Sequence, residues 1–150
     1  MVDFEFEFQY AEAKQTALQK AAGCIPAGRC VVLCGGSGCG KTTLGKLIAG
    51  LYKPAAGQIA LFGSGRTPKQ LQSQVMFIMQ EAEFQFFTNS VINELKYGHA
   101  ATPEFDQAAE ALLRRMGMCE CRDRHPFSLS GGQMQKLTLM TAFLSEKPVI

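Results

Sequence analysis

The stretch from Val31 to Thr43, VVLCGGSGCGKTT, constrains the fold of this chain more than any other. Val31, Val32 and Leu33 read as a short buried strand. Gly35-Gly36-Ser37-Gly38-Cys39-Gly40-Lys41-Thr42 then fits G-x-x-x-x-G-K-[ST], a loop that binds phosphate. Glycines let the backbone curl tightly, so that successive N–H groups converge on one concavity. Lys41 brings a compact positive charge to the β- and γ-phosphates, and the hydroxyl of Thr42 suits Mg²⁺. A helix beginning at Gly40 would turn its positive end toward the anion.

The flanks agree with the motif. Leu44, Leu47, Ile48 and Leu51 recur at i, i+3, i+4 and i+7, which gives the helix one buried face. A glycine-rich turn matching by accident would not be framed by an apolar strand and an amphipathic helix. The chain has 150 residues, 47% of them hydrophobic, enough to fill the core of one domain. A net charge of +2 shows no electrostatic footprint for nucleic acid, and none is expected as a partner. No apolar run is long enough to span a bilayer. The start of the chain alternates acids with Phe and lacks a signal-peptide pattern, so a cytoplasmic protein is expected. Six cysteines occur without a C-x-x-C pair, so neither zinc nor a disulfide framework is expected. Cys39 is distinctive, because a helix start and Lys41 beside it both favour the thiolate.

Residues Val2 to Tyr10 alternate strictly, with Val2, Phe4, Phe6, Phe8 and Tyr10 on one face. That is a strand with one wet face, which suits an antiparallel sheet. Gly57 to Gly63 reads as a second such strand, and Val75 to Met79 as an apolar one ending at Gln80. Val91 to Tyr97 reads as a short helix. Thr102-Pro103-Glu104 starts another, with a stripe of Phe105, Ala108, Ala109, Leu112, Leu113 and Met116. Leu129-Ser130-Gly131-Gly132-Gln133 opens a third, where Ser130 and Gln133 have capping-box spacing and Leu129 can staple Met134.

A phosphate loop followed about ninety residues later by LSGGQ resembles the ATP-binding-cassette ATPases, in which LSGGQ is the signature motif. The resemblance covers nearly the whole chain. Tyr10 stands where that family stacks an aromatic on adenine, and Gln80 where it has its Q-loop glutamine. Pro26-Ala27-Gly28, Gly50-Leu51-Tyr52-Lys53-Pro54 with Gly57, and Lys136 also match. Gln80, Gln85-Phe86-Phe87, Ser90-Val91 and Tyr97-Gly98 look like the energy-coupling-factor type, which drives uptake of vitamins and metal ions. Glu81-Ala82 departs from that type's Asn-Pro, and the alternative for Gln85 and the two Phe is a plain loop packed on the core.

The resemblance implies an α/β fold. A P-loop NTPase core with a parallel sheet would carry a small antiparallel β layer and a helical segment bearing the signature motif. It implies ATP and Mg²⁺ as ligands. Tyr10, Gly35, Gly36, Ser37, Gly38, Cys39, Gly40, Lys41, Thr42 and Thr43 would hold nucleotide in cis. Ser130, Gly131, Gly132 and Gln133 would meet it in trans, from a second cassette paired head to tail. Thr42 and Gln80 would serve the metal, with Gln80 also sensing the attacking water. A transmembrane subunit would be the further partner, placing the protein on the inner face of the membrane. Residues 1–150 read as one cassette domain, truncated before the Walker B aspartate, so this chain alone is expected to bind nucleotide rather than hydrolyse it. Glu81, Glu83 and Glu94 are not at catalytic positions. The alternatives are a soluble cassette ATPase outside transport, and a truncated module that binds without hydrolysis.

Overall fold

The alternation of the first strand builds the first layer. β1 (Val2–Phe8) buries Val2, Phe6 and Phe8 and leaves Glu5 and Glu7 in water. It pairs antiparallel with β2 (Leu18–Ile25) on one side and β3 (Ala56–Leu61) on the other, and β3 pairs with β4 (Ser64–Gly65). The order is β2-β1-β3-β4, the small antiparallel layer expected from the sequence. These positions come from a computed structural model, which describes residues 1–9 and 18–150, with only the backbone of residues 18 and 19. Tyr10 lies outside the described residues.

β2 has no pattern that announces a strand, since Lys20-Ala21-Ala22-Gly23-Cys24 is mostly small residues without apolar–polar alternation. It is a strand because β1 pairs with it. The ring of Phe4 lies across Gly23, where a Cβ would stand 2.7 Å from the ring tip. Smallness there is what seats the Phe4 ring on its neighbour.

Two compact units divide the chain, residues 1–77 with 149, and residues 78–148 with 150. In the first, α1 (Lys41–Ile48) and α2 (Pro68–Gln74) supply Leu47 and Leu71 to a core with Phe6, Ile59 and Leu61. α1 starts at Lys41 and stops at Ile48, so Leu51 falls past the helix and is 45% exposed. Thr67 and Gln70 form a complete capping box at the start of α2.

The parallel sheet differs from expectation. Val31, Val32 and Leu33 lie in no strand and are 52, 78 and 50% exposed. Val75 to Met79 contributes a single parallel bridge, Val75 to Val149, with the Met76 N–H donating to the Val149 carbonyl at 2.8 Å. Apolar β-branched residues favour a strand, but its hydrogen bonds come from neighbours. Among the described residues no neighbouring strand pairs with Val31 to Leu33.

The second unit is helical. α3 (Val91–Lys96), α4 (Pro103–Arg115) and α5 (Gly131–Leu144) close on Val91, Leu95, Leu113, Leu137 and Met140. Truncating a side chain as buried as Leu137 to Ala costs about 2–5 kcal/mol in such a core. The expected α4 stripe holds at Ala109 and Leu113 and, half-buried, at Leu112 and Met116, whereas Ala108 faces water and Phe105 stacks on His99.

Candidate functional site

The glycine-rich loop has the helix the motif expects after it but not the strand expected before it. Gly40 ends it at φ +96°, a left-handed conformation that side chains resist, and α1 follows immediately. The other four α-helices of the described residues each begin on a hydroxyl that accepts a backbone N–H: Thr67, Ser90, Thr102 and Ser130. α1 has no side-chain cap. A helix start without a side-chain cap leaves its first N–H groups with no partner within the helix, a chemistry that suits an anion.

Lys41 reaches back over the loop. Its Nζ donates to the Gly35 carbonyl at 2.9 Å and the Gly36 carbonyl at 2.7 Å, and lies 3.6 Å from Cys39 Sγ. The loop therefore carries its cation at its own centre, held by backbone oxygens. A side chain added at Gly36 or Gly38 would meet nothing within 4 Å, whereas one at Gly35 would stand 2.6 Å from Cys39 Sγ. Thr42 is exposed at the second helical position, whereas Thr43 is buried at 8%. Ser37 and Cys39 are exposed on the loop.

The start of α5 in the second unit is the other expected element. Ser130 N donates to Gln133 Oε1 at 2.9 Å, and Gln133 N donates to Ser130 Oγ at 3.4 Å, which completes the capping box. Gln133 Nε2 donates to the buried Cys121 Sγ at 3.5 Å, so the side chain of Gln133 fastens the helix start to the unit. Gly131 and Gly132, the first two helical residues, are exposed, and a Cβ on either would meet nothing within 4 Å. Lys136 donates to the Met116 carbonyl at 3.1 Å, where a cation suits the end of α4.

Gln80 is exposed. The segment behind it divides between the two roles left open by the sequence. Gln85 Oε1 accepts the Met79 N–H at 2.9 Å and Phe86 is buried at 8%, both packing roles. Phe87 is 72% exposed and stacks on Tyr97, itself 60% exposed, with ring centroids 5.7 Å apart. Phe84 is 67% exposed. One residue passed over in the sequence is drawn in by the structure: Glu94 is 5% exposed. Its signal was its place beside Val91 and Leu95, an acid at i+3 on an apolar stripe.

The sequence model of the ABC transporter family matches residues 18–150. The chain belongs to the ABC transporter family. Family members bind ATP, and the fold is the α/β P-loop NTPase fold of their cassettes. A putative HMP/thiamine import ATP-binding protein of Bacillus subtilis is 32% identical over 94% of this chain and 26% of its own length. An energy-coupling factor transporter ATP-binding protein of Mycoplasma mobile is 31% identical over 96% and 55%. An aliphatic sulfonates import ATP-binding protein of Rhodopseudomonas palustris is 41% identical over 84% and 44%. The chain thus spans between about a quarter and just over half of the length of these relatives. Among solved structures, cbiO1 of Clostridium perfringens, part of the ABC transporter complex cbiONQ, superposes with a TM-score of 0.83 at 23% identity, over 97% of this chain and 61% of that one. That likeness is one of fold. No helix of the described residues is long and apolar enough to cross a membrane.

Proposed function

We propose that this chain is the nucleotide-binding part of an ATP-hydrolysing importer subunit of the energy-coupling-factor type, at the cytoplasmic face of the membrane. The single observation that carries nucleotide binding is the uncapped start of α1 behind a glycine loop with Lys41 at its centre. The transporter type is supported by the names of the relatives, several of which are energy-coupling factor ATP-binding proteins. It is supported as well by the exposed aromatic group of Phe84, Phe87 and Tyr97, a surface of the kind a transmembrane partner covers.

In this reading the loop N–H groups and Lys41 hold the phosphates, and Tyr10 stacks on the base. Gly131 and Gly132 of a second subunit offer their N–H groups to the γ-phosphate in trans, and Ser130 its hydroxyl. Gln133 fixes that helix start through its bond to Cys121. The oxygen donors of Thr42 and Gln80 suit Mg²⁺, which takes few protein ligands beside phosphate oxygens and neutralises their charge.

The experiment separates the two halves. Lys41→Ala removes nucleotide binding. Gly131→Asp leaves ATP affinity within about twofold yet blocks pairing, because it sets a carboxylate against the γ-phosphate. Equal loss of ATP binding in both variants would place Gly131 in the cis site and overturn the reading.

A further inference from the structure

Glu94 is the most buried acid of the second unit, and nothing in nucleotide binding uses it. Its Oε2 accepts three hydrogen bonds, from the Phe87 N–H at 3.0 Å, the Thr88 N–H at 2.9 Å and the Thr88 hydroxyl at 2.8 Å. Bonds to an ionised acceptor are about twice as strong as neutral ones, and removal of the acceptor strands two backbone donors. The loop bearing the exposed Phe87 is therefore pinned to α3 through one carboxylate.

The same helix is pinned at its start to another segment. The Val91 N–H donates to the Arg124 carbonyl at 3.0 Å, and the Ile92 N–H to the Arg122 carbonyl at 2.9 Å. Residues 122–128 lead directly into Leu129 and the start of α5. There Arg124 bonds the Ser128 carbonyl, and the His125 carbonyl accepts the Ser128 hydroxyl at 2.7 Å. One six-residue helix thus holds the aromatic loop with its Glu94 side chain and the strap before Ser130 with its first N–H groups.

We propose that Glu94 is a positioning residue that ties the Phe87–Thr88 loop to the strap preceding Ser130, so that a transmembrane partner seated on Phe87 shifts the start of α5. This rests on the proposed docking of a partner at Phe84, Phe87 and Tyr97. The carboxylate makes the loop and α3 move together. Without it Phe87 keeps its exposure but loses its fixed relation to the strap.

The test uses the full-length protein assembled with its transmembrane partner in liposomes, and reads ATP affinity, ATP turnover and transport separately. Glu94→Ala lowers transport per ATP hydrolysed about tenfold, with ATP affinity within about twofold, as expected when one to two buried bonds are lost. Glu94→Gln keeps a carbonyl acceptor in place and recovers most of the coupling. Thr88→Val removes only the hydroxyl donor, keeps the fold, and gives a partial loss of about threefold. Amide hydrogen exchange at Phe87 and Thr88 accelerates in Glu94→Ala and not in Glu94→Gln. A variant Glu94→Ala that is merely less stable, with unchanged transport per ATP, overturns the proposal, as does full coupling in Thr88→Val with Glu94→Ala unfolded. Phe87→Ala separates the two claims. Unchanged coupling in that variant defeats the docking surface itself, whereas loss in Phe87→Ala with full coupling in Glu94→Ala defeats only the role of Glu94.

Discussion

Lys41 and Cys39 show how far single residues could be read. The motif named Gly35 to Thr42 as a phosphate loop, and the structure gives that loop an uncapped helix and a centred ammonium. The sequence could not say that Lys41 also approaches Cys39, because 3.6 Å between side chains two apart depends on the curl of the loop. The six thiols differ accordingly. Cys121 is buried, and the side chain of Asp3 bonds the Cys24 thiol and pushes its pKa up, which slows both toward alkylation. Cys30, Cys34, Cys39 and Cys119 are exposed. Mass-spectrometric mapping of brief alkylation should find Cys39 labelled first in nucleotide-free protein and protected by ATP, with no protection at Cys30 or Cys34. Labelling of Cys119 first, unaffected by ATP, would detach Cys39 from the site. Tyr10 makes a second residue-scale test: if it stacks on the base, Tyr10→Ala weakens ATP binding about tenfold and Tyr10→Phe does little.

Helix ends were the most legible elements and strands the least. Thr102 with Pro103, and Ser130 with Gln133, were read as caps from residue types alone, and both cap their helices. A cap is local, so sequence suffices to find it. β2 was not legible, since it is a strand through its pairing with β1, and Val31 to Leu33 misled for the converse reason. Glu94 failed for a third: its worth lies in donors six and seven residues away, brought round by residues 88–90 as they lead into α3. The caps also give a control for the site. Thr102→Ala should lower stability by about 1 kcal/mol, as loss of an N-cap does, and leave ATP affinity unchanged. Chemical denaturation and nucleotide titration of this variant beside Lys41→Ala should give opposite patterns, stability lost in one and binding in the other.

At the scale of the molecule, the apolar run Val31 to Leu33, half or more exposed, is a surface that invites pairing between copies. Light scattering should therefore find the 150-residue chain self-associating, and a monomeric chain would mean that this run is not a pairing surface. The missing cap on α1 reaches further than binding. Among the described residues four α-helices carry a capping oxygen in their own sequence, and in the proposed reading α1 would take its partner from the bound nucleotide. A ligand at a hundred times its dissociation constant adds about 2.7 kcal/mol to the folded state, a large part of what holds a domain of this size together. On that reading the lifetime of the protein would follow the energy charge of the cell, and the nucleotide-free chain would open to proteases first. Proteolytic half-lives with and without nucleotide, compared between wild type and Lys41→Ala, would measure that tie directly.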